Sequence, residues 1–183
     1  MRTEDQVKFP PQSVPLKDGQ TVTLRFLGEA DAEALGDLYE SIPREDMRFY
    51  LPHDLTRAAA AKKAGRAGDP CFVCLVAEAP DDVIAGYAWY QWKAGDDKSG
   101  FGICIRRGWQ SVGLGAALMS RLLEIAVTIG PPVMKLTMQH ANTRAVALYR
   151  RVGFEVVREG VREKDEQRGF DEEPQYWMER KIR

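Results

Sequence analysis

The sequence lacks any excess of positive charge. Its 26 Lys and Arg residues are matched by 27 Asp and Glu residues, and the formal net charge is −1. Proteins that bind duplex DNA or an anionic membrane surface normally carry a basic patch, because both partners are polyanions. We therefore expect no nucleic-acid partner and no membrane partner for this chain.

Long apolar runs are also missing. No run approaches the roughly 18 residues that a membrane-spanning helix needs, and the first residues, "MRTEDQVKFPPQSVP", do not resemble a secretory leader. We expect a cytoplasmic protein. The 183 residues, 44% of them hydrophobic, are enough for one core, so we predict an N-terminal tail over 1–13 and a single domain over 14–183.

Cysteine and histidine are scarce, with three and two residues respectively. Cys71 and Cys74 form a CxxC pair inside the apolar run "CFVCLVA", which favours a strand. Residues three apart on a strand point to opposite faces, which does not suit a shared ligand. With Cys104 and two isolated histidines, His53 and His140, as the remaining donors, we predict buried thiols and no metal site.

Hydrophobic periodicity predicts the order strand, two helices, three strands, helix, strand, helix, two strands. Thr56 is expected to cap an exposed helix in a region, 43–66, that is broken at Pro52. Asn142 is expected to begin the last helix and Gly153 to end it. This order indicates an α/β (α+β) layered domain, with helices on a mixed, mostly antiparallel sheet of six to seven strands.

Two glycines, Gly113 and Gly115, precede an apolar helix in "QSVGLGAAL". A helix start offers unpaired N–H groups and the positive end of the helix dipole, and glycine lets a phosphate approach the backbone. The spacing fits neither a dinucleotide fingerprint nor a P-loop, since Leu118 and Lys135 occupy the fingerprint's remaining positions and no Gly-Lys-Ser/Thr follows. Taken alone, the two glycines favour a simple strand-to-helix turn that needs glycine for its geometry only.

The neighbouring residues decide between these interpretations. "ICIRRGWQSVGLGAAL" resembles the first motif of the GNAT superfamily of acyl-CoA-dependent N-acetyltransferases, a strand followed by Gln/Arg-x-x-Gly-x-Gly/Ala and a helix. "LTMQHANTRAVALYRRVGF" resembles the second motif of that superfamily, through Asn142, Tyr149, Gly153 and Phe154. The segments "LKDGQTVTLRFLGEADAEAL", "SIPREDMRFYLP" and "RGWQSVGLG" are similar to the branch that acetylates protein lysines.

The resemblance implies a site for acetyl-CoA as the acyl donor. Ile103, Cys104 and Ile105 would contact the pantetheine arm through backbone groups, and Asn142 would contact the cofactor. The pyrophosphate would be held by amides of the loop formed by Gln110, Ser111, Val112, Gly113, Leu114, Gly115 and Ala116. Tyr149 would be the catalytic hydroxyl, and a backbone N–H within "VIAGYAWYQW" would face the thioester oxygen.

Acetyl transfer to an amine also requires the amine to lose a proton. For an alkyl amine of pKa ~10.4, this costs ~4–5 kcal/mol at neutral pH. Many enzymes of the resembled branch carry a Glu five residues before the end of the strand "FGICI", where this chain has Gly100. Asp96, Asp97, Glu172 and Glu173 lie in predicted loops, where carboxylates are usually solvated. Glu78, near a strand end, and His53 are no stronger candidates for the base. A water chain or an acceptor of lower pKa stays open.

The sequence therefore favours an enzyme that moves an acetyl group from acetyl-CoA to a primary amine, on a small molecule or a protein lysine, by direct attack in a ternary complex. Gly100 keeps a second interpretation open, a non-catalytic acyl-CoA-binding or sensing domain. An antibiotic or polyamine acetyltransferase would share the fold and the cofactor. A homodimer also stays open, because the aromatic stretch "YAWYQW" suits a cleft, a dimer seam or a core.

Overall fold

A computed structural model describes residues 3–50 and 53–183. In these ranges the helices are α1 (Thr3–Lys8), α2 (Ala32–Glu40), α3 (Arg44–Met47), α4 (Arg57–Ala64), α5 (Leu114–Ala126) and α6 (Thr143–Arg151). The strands are β1 (Gln12–Pro15), β2 (Thr21–Phe26), β3 (Phe72–Glu78), β4 (Ile84–Gln91), β5 (Lys98–Ile105), β6 (Val133–Gln139), β7 (Glu155–Arg162) and β8 (Glu173–Lys181).

All the strands form one sheet in the order β1-β2-β3-β4-β5-β6-β8-β7. Neighbours are antiparallel except for β5 and β6, which run parallel. The predicted mixed, mostly antiparallel sheet is confirmed, but it has eight strands instead of six or seven. The additional strand is β1, which the Asp18-Gly19 turn folds back onto β2: Gly19 has φ +86°, and Asp18 accepts a hydrogen bond from the Gln20 amide at 3.1 Å.

The described part of the predicted tail is attached to the domain. Phe9 is only 7% exposed and belongs to a core cluster. The carbonyl oxygen of Pro10 accepts a hydrogen bond from Arg121 of α5 at 2.7 Å, and Gln12 and Ser13 already pair with β2. The polar, proline-bearing composition suggested a tail because one buried aromatic ring is a weak signal in a sequence.

Each face of the sheet is covered by helices. On one face α5 buries Leu114, Leu118, Leu122 and Ile125 completely, and Val146 and Tyr149 of α6 join the same core cluster. On the other face α2 and α4 cover a second cluster, which includes Tyr39 and Tyr87. The sheet therefore forms the middle layer, as the sequence pattern predicted.

The expectation of an exposed helix after Thr56 is wrong. The cap is present, since the Thr56 side chain accepts a hydrogen bond from the Ala59 amide at 3.1 Å. However, α4 packs on α2 and buries Ala60, Ala64 and Lys63, the last with 8% exposure. Small alanine side chains permit this close helix contact. Alanine is only weakly hydrophobic, so the sequence pattern did not indicate that the helix is buried. The break predicted at Pro52 lies outside the described residues.

The three cysteines are free. Cys74 and Cys104 are buried, but Cys71 is half-buried because it precedes β3 instead of lying within it. Across residues 3–50 and 53–183 no group of three or more His, Cys, Asp or Glu side chains could hold a metal ion. No helix in those ranges has the length and apolar character needed to cross a bilayer.

Candidate active site

The site begins where β5 and β6 separate. The two strands pair only between Lys98–Gly100 and Val133–Lys135, although β5 continues to Ile105 and β6 to Gln139. Beyond Gly100 the edge of β5 that faces β6 is unpaired. The opening forms a cleft of about 530 Å³, lined by Gly100 and Phe101 on β5 and by Tyr149 on α6, among others.

The backbone of β5 presents alternate amides to this opening. The amide of Arg106 donates to the Ala85 carbonyl beside β4, at 2.9 Å. Because peptide groups alternate along a strand, the amides of Ile103 and Ile105 point to the unpaired edge of β5, and Ile103 lines the cleft. The amide of Cys104 faces β4 instead, where Cys104 is paired with Tyr87. Two of the three residues predicted to supply backbone groups are therefore positioned to do so.

The backbone N–H expected within "VIAGYAWYQW" is not available. This segment is β4, and residues 86–91 pair with β3 on one side and with β5 on the other. Its amides and carbonyls are used by the sheet. The free donors lie one strand further along, on β5, because only β5 has a neighbour that diverges from it.

The glycine loop is built as a turn into α5. Gly113 is the N-cap residue, with φ +99°, and Ser111 also has a left-handed φ of +66°. A non-glycine residue in that region is strained, and such strain is frequent at functional loops. The first intrahelical bond runs from the Ala117 amide to the Gly113 carbonyl, at 3.1 Å. The amides of residues 114–116 therefore have no partner within the helix, and such amides can donate hydrogen bonds to an anion.

Gly115 has a different role from Gly113. A Cβ at Gly115 would lie 3.2 Å from both Ile105 Cδ1 and Leu148 Cδ2, so the absence of a side chain lets α5 approach β5 and α6 closely. Val112 and Ala116 complete the loop, and Val112 accepts a hydrogen bond from the Lys17 amide at 3.0 Å through its carbonyl. The pattern Gly-x-Gly thus combines one conformational and one packing requirement.

Gln110 fixes the start of the loop and brings in a cation. Its side chain donates to the Ile105 carbonyl at 3.1 Å and accepts a hydrogen bond from Arg144 of α6. Lys17, in the turn after β1, lies with its Cγ 3.7 Å from the position of a Cβ on Gly113. Arg144 and Lys17 add positive charge beside the helix start. The sequence analysis missed both, since their proximity to the loop depends on tertiary contacts.

Asn142 and Tyr149 both line the cleft. Asn142 caps α6 by accepting a hydrogen bond from the Ala145 amide at 3.3 Å. Tyr149 is 6% exposed, and its ring packs edge-on against Phe101 with centroids 5.7 Å apart. Burial, with a smaller contribution from Cys104, raises the pKa of Tyr149. The phenol therefore stays protonated at neutral pH and can act as an acid.

Among the described residues that line the cleft, none is a general base of the expected kind. Gly100 lines the opening, and Glu179 is the one carboxylate among the described residues that line it. Both oxygens of Glu179 accept hydrogen bonds from Lys98, at 2.7 and 2.9 Å. The loop carboxylates Asp96, Asp97, Glu172 and Glu173 are absent from the described lining, and Glu173 is ion-paired with Arg48 and Arg162.

A cluster of aromatic side chains and one histidine lies at the opposite wall. Tyr50 and Trp89 line the cleft, and the Trp89 indole N–H donates to the Tyr50 hydroxyl at 3.0 Å. The Tyr50 hydroxyl also contacts the Tyr87 hydroxyl and lies 3.2 Å from His53 Nε2. Burial, followed by the charge of Lys63, lowers the pKa of His53 to about 4.

Sequence reasoning did not identify this cluster. Tyr50 was obscured by the break around Pro52, and His53 was only one of several candidates for a base. Tyr87 and Trp89 had three open roles within "YAWYQW", of which a place in the core is the commonest. An alternation of Tyr87 and Trp89 on one face of β4 was the available signal. It does not reveal that the segment after α3 brings a histidine to that face.

Comparison with known proteins gives a consistent result. A family model described as the acetyltransferase (GNAT) family matches residues 35–154. The chain is similar in structure to the GNAT domain of S. lividans PAT, with TM-score 0.76, 18% identity and 99% of both chains covered. It is also similar to a spermidine N-acetyltransferase from Vibrio cholerae in complex with CoA and spermine, with TM-score 0.71, 20% identity and 88% and 95% coverage of this chain and that chain.

A third similar structure is a phosphinothricin acetyltransferase from Sinorhizobium meliloti in complex with AcCoA. Here the TM-score is 0.68, the identity 21% and the coverage 87% of this chain and 88% of that chain. At these identities the three structures establish a shared fold, while the match of the family model extends through both sequence motifs.

Proposed function

Since this chain belongs to the acetyltransferase (GNAT) family, we propose that it transfers an acetyl group from acetyl-CoA to a primary amine by direct attack in a ternary complex. The acceptor is a small molecule or a protein lysine. The observation that carries the proposal is the separation of β5 from β6 beyond Gly100, which connects an unpaired strand edge to the start of α5.

The residues around this opening supply the contacts that acetyl-CoA requires. The amides of residues 114–116 offer donors to a pyrophosphate, with Arg144 and Lys17 nearby. The edge amides of Ile103 and Ile105 suit the amide groups of a pantetheine arm, which would add to the sheet in the manner of a strand. Asn142 keeps its amide N–H₂ for the same ligand, because its oxygen is used in capping.

Tyr149 is proposed to protonate the departing thiolate. Its raised pKa keeps the hydroxyl hydrogen in place at neutral pH, and its side chain lines the cleft beside β5. Proton donation by a positioned side chain typically contributes 10²–10⁴-fold to a rate. The sulfur would otherwise leave as a thiolate, with nothing to neutralise its charge.

The walls of the cleft limit the choice of acceptor only in part. Phe49, Tyr50, Trp89 and Trp177 provide aromatic surface for the alkyl part of an amine. The family contains proteins whose structures are described with spermine and as phosphinothricin acetyltransferases. A polyamine or an antibiotic is therefore a reasonable first acceptor to test beside peptide lysines.

The test measures CoA release and binding in parallel. Release of free thiol from acetyl-CoA is followed with a panel of polyamines, amino acids, aminoglycosides and lysine peptides, and acetyl-CoA binding is measured by calorimetry. We expect turnover that falls about 100-fold in Tyr149→Phe with unchanged acetyl-CoA affinity. Tyr90→Phe is the matched control, because it also removes one tyrosine hydroxyl, and that hydroxyl is bonded to the Ile129 carbonyl at 3.0 Å. Saturable binding without turnover on any acceptor would instead support the sensing role that Gly100 suggests.

A further inference from the structure

We propose that Tyr50, Tyr87 and His53 form a proton relay that carries the proton of the acceptor amine from the cleft to solvent. The inference rests on the proposed acetyl transfer and supplies what Gly100 leaves missing. Tyr50 would be the group that touches the amine, and His53 would act through the two tyrosines.

The position of Tyr50 follows from its contacts with Trp89. A Cβ at Gly102 would lie 2.7 Å from the Trp89 ring, so the indole lies directly on the β5 backbone. Its N–H then holds the Tyr50 hydroxyl, at 3.0 Å. Gly102 precedes Ile103, whose amide faces the opening. The Tyr50 oxygen is thereby fixed near the unpaired edge, on the wall opposite Tyr149.

The direction of the hydrogen bonds is set at His53. Its Nδ1 lies 2.7 Å from the carbonyl oxygen of Asp54, and a carbonyl can only accept. Nδ1 therefore carries the hydrogen, which leaves the lone pair on Nε2 as an acceptor in the neutral ring. Tyr50, Tyr87 and Tyr39 place their hydroxyls 3.2, 3.3 and 3.5 Å from that atom.

One arrangement of the hydroxyl hydrogens leaves Tyr50 ready to receive a proton. A phenol oxygen has one hydrogen and two lone pairs. When Tyr50 donates to Tyr87 and Tyr87 donates to His53 Nε2, the Trp89 N–H occupies one lone pair of Tyr50. The second lone pair is then available to an N–H group in the cleft. The chain runs from the amine to Tyr50, then to Tyr87 and His53.

The charges around His53 favour passage of the proton over its retention. Lys63 of α4 is buried over the Trp89 ring, 4.4 Å from its centroid, and Arg168 approaches from the loop before β8. Both disfavour the imidazolium. Asp54 is the neighbouring carboxylate and is paired with Arg168 at 2.8 Å. His53 itself is half-buried, so the transferred proton has a short path to water.

The ammonium N–H bond breaks and its proton goes to Tyr50. In the same step the Tyr50 hydrogen moves to Tyr87, and the Tyr87 hydrogen moves to His53 Nε2. The imidazolium of His53 then releases a proton to water. The free amine forms the new C–N bond and the C–S bond breaks. Tyr149 gives its hydrogen to the sulfur and regains one from the second proton that the nitrogen loses.

The test is the pH dependence of kcat/KM between about pH 6 and 10, over which an alkyl amine passes from almost fully protonated to roughly 30% free. We expect Tyr50→Phe and His53→Gln to lower the rate about 10- to 100-fold near neutral pH, with KM for acetyl-CoA unchanged. The loss should shrink as pH rises, because the amine then deprotonates without help. Tyr39→Phe is the matched control, because it removes a tyrosine hydroxyl that also contacts the His53 imidazole, while Tyr39 is not among the described residues that line the cleft. Its pH profile should equal that of the unmodified protein.

A second measurement protects the test against misfolding. In His53→Ala, added imidazole should restore a part of the rate lost, because the position is half-buried and a small base can enter. A loss that is equal at every pH, or no recovery with imidazole, overturns the relay while acetyl transfer stands. An unmodified protein that binds acetyl-CoA but acetylates no acceptor overturns the proposed function and the relay together.

Discussion

Gly100→Glu is the most informative single change in this protein. A Cβ at Gly100 would have the Gln91 carbonyl oxygen as its nearest described neighbour, at 3.9 Å, and Gly100 has no left-handed φ. The substitution therefore introduces no strain, and the longer side chain extends into a cleft that Gly100 already lines. It places a carboxylate where related enzymes have one.

The size of the effect follows from the cost of the free amine. Deprotonation at neutral pH costs ~4–5 kcal/mol, and a positioned base typically contributes 10²–10⁴-fold. Lys135 pairs with Gly100 in the sheet register, so its ammonium lowers the pKa of the new carboxylate and weakens it as a base. We expect about a tenfold gain in kcat in a Tyr50→Phe background, and less than about threefold in the unmodified protein, which keeps the relay.

The assay compares four proteins by thiol release at neutral pH, with Gly100→Gln in each background as the neutral control of equal size. If the Gln variants gain as much as the Glu variants, the effect is one of shape. If the carboxylate gives no gain in the Tyr50→Phe background, proton removal does not limit the rate and the reasoning about Gly100 is wrong.

Two further predictions concern the loop and the fold. Gly113→Ala adds a Cβ to a residue with a φ of +99° and should lower the free energy of unfolding by about 1 kcal/mol. In Gly115→Ala the new Cβ meets Leu148 at 3.2 Å, which should lower it by about 1–3 kcal/mol. Both variants should bind CoA more weakly in calorimetry. Arg25→Ala should lower the free energy of unfolding by about 1–3 kcal/mol at pH 7, because it leaves Asp31 buried without the guanidinium that now lies 2.8 Å away.

The pH dependence of the Arg25 effect has a definite sign. Burial alone would raise the pKa of Asp31, but hydrogen bonds from Arg25 and from the Gly28 amide outweigh it and lower the pKa below 3.8. The stabilisation is therefore present above about pH 4 and is lost as pH falls through the lower folded value. Urea unfolding at pH 7 and at about pH 3 checks this. A difference between the two proteins that is unchanged at about pH 3 would contradict it.

Local chemistry made several elements predictable. Asn142 caps α6 because its short side chain reaches the Ala145 amide three residues on, and Gly153 ends the helix because φ there is +84°. Gly113 likewise meets a backbone requirement of its own turn. The apolar helix expected after the two glycines is α5, and its Leu114 and Leu118 are buried together because a helix presents residues three and four apart to the same neighbour.

Contacts between distant segments were not predictable in this way. Phe9 and the first two residues of β1, Gln12 and Ser13, were assigned to a tail because nothing in their own composition indicates the sheet edge that receives them. The thioester donor was placed on β4 because the sequence does not show which central strand has a diverging neighbour. The helix α4 was expected to be exposed, yet its Lys63 is buried over the ring of Trp89.

Local sequence was enough to predict where helices begin, where the backbone must take a left-handed turn and which residues resemble an acyl-CoA site, because these depend on side chains within a few positions of one another. The tertiary structure alone decided that β5 and β6 part after Gly100 and that His53 meets Tyr50 and Tyr87. Those contacts join segments up to 37 residues apart, and packing of whole elements, which no local pattern encodes, brings them together.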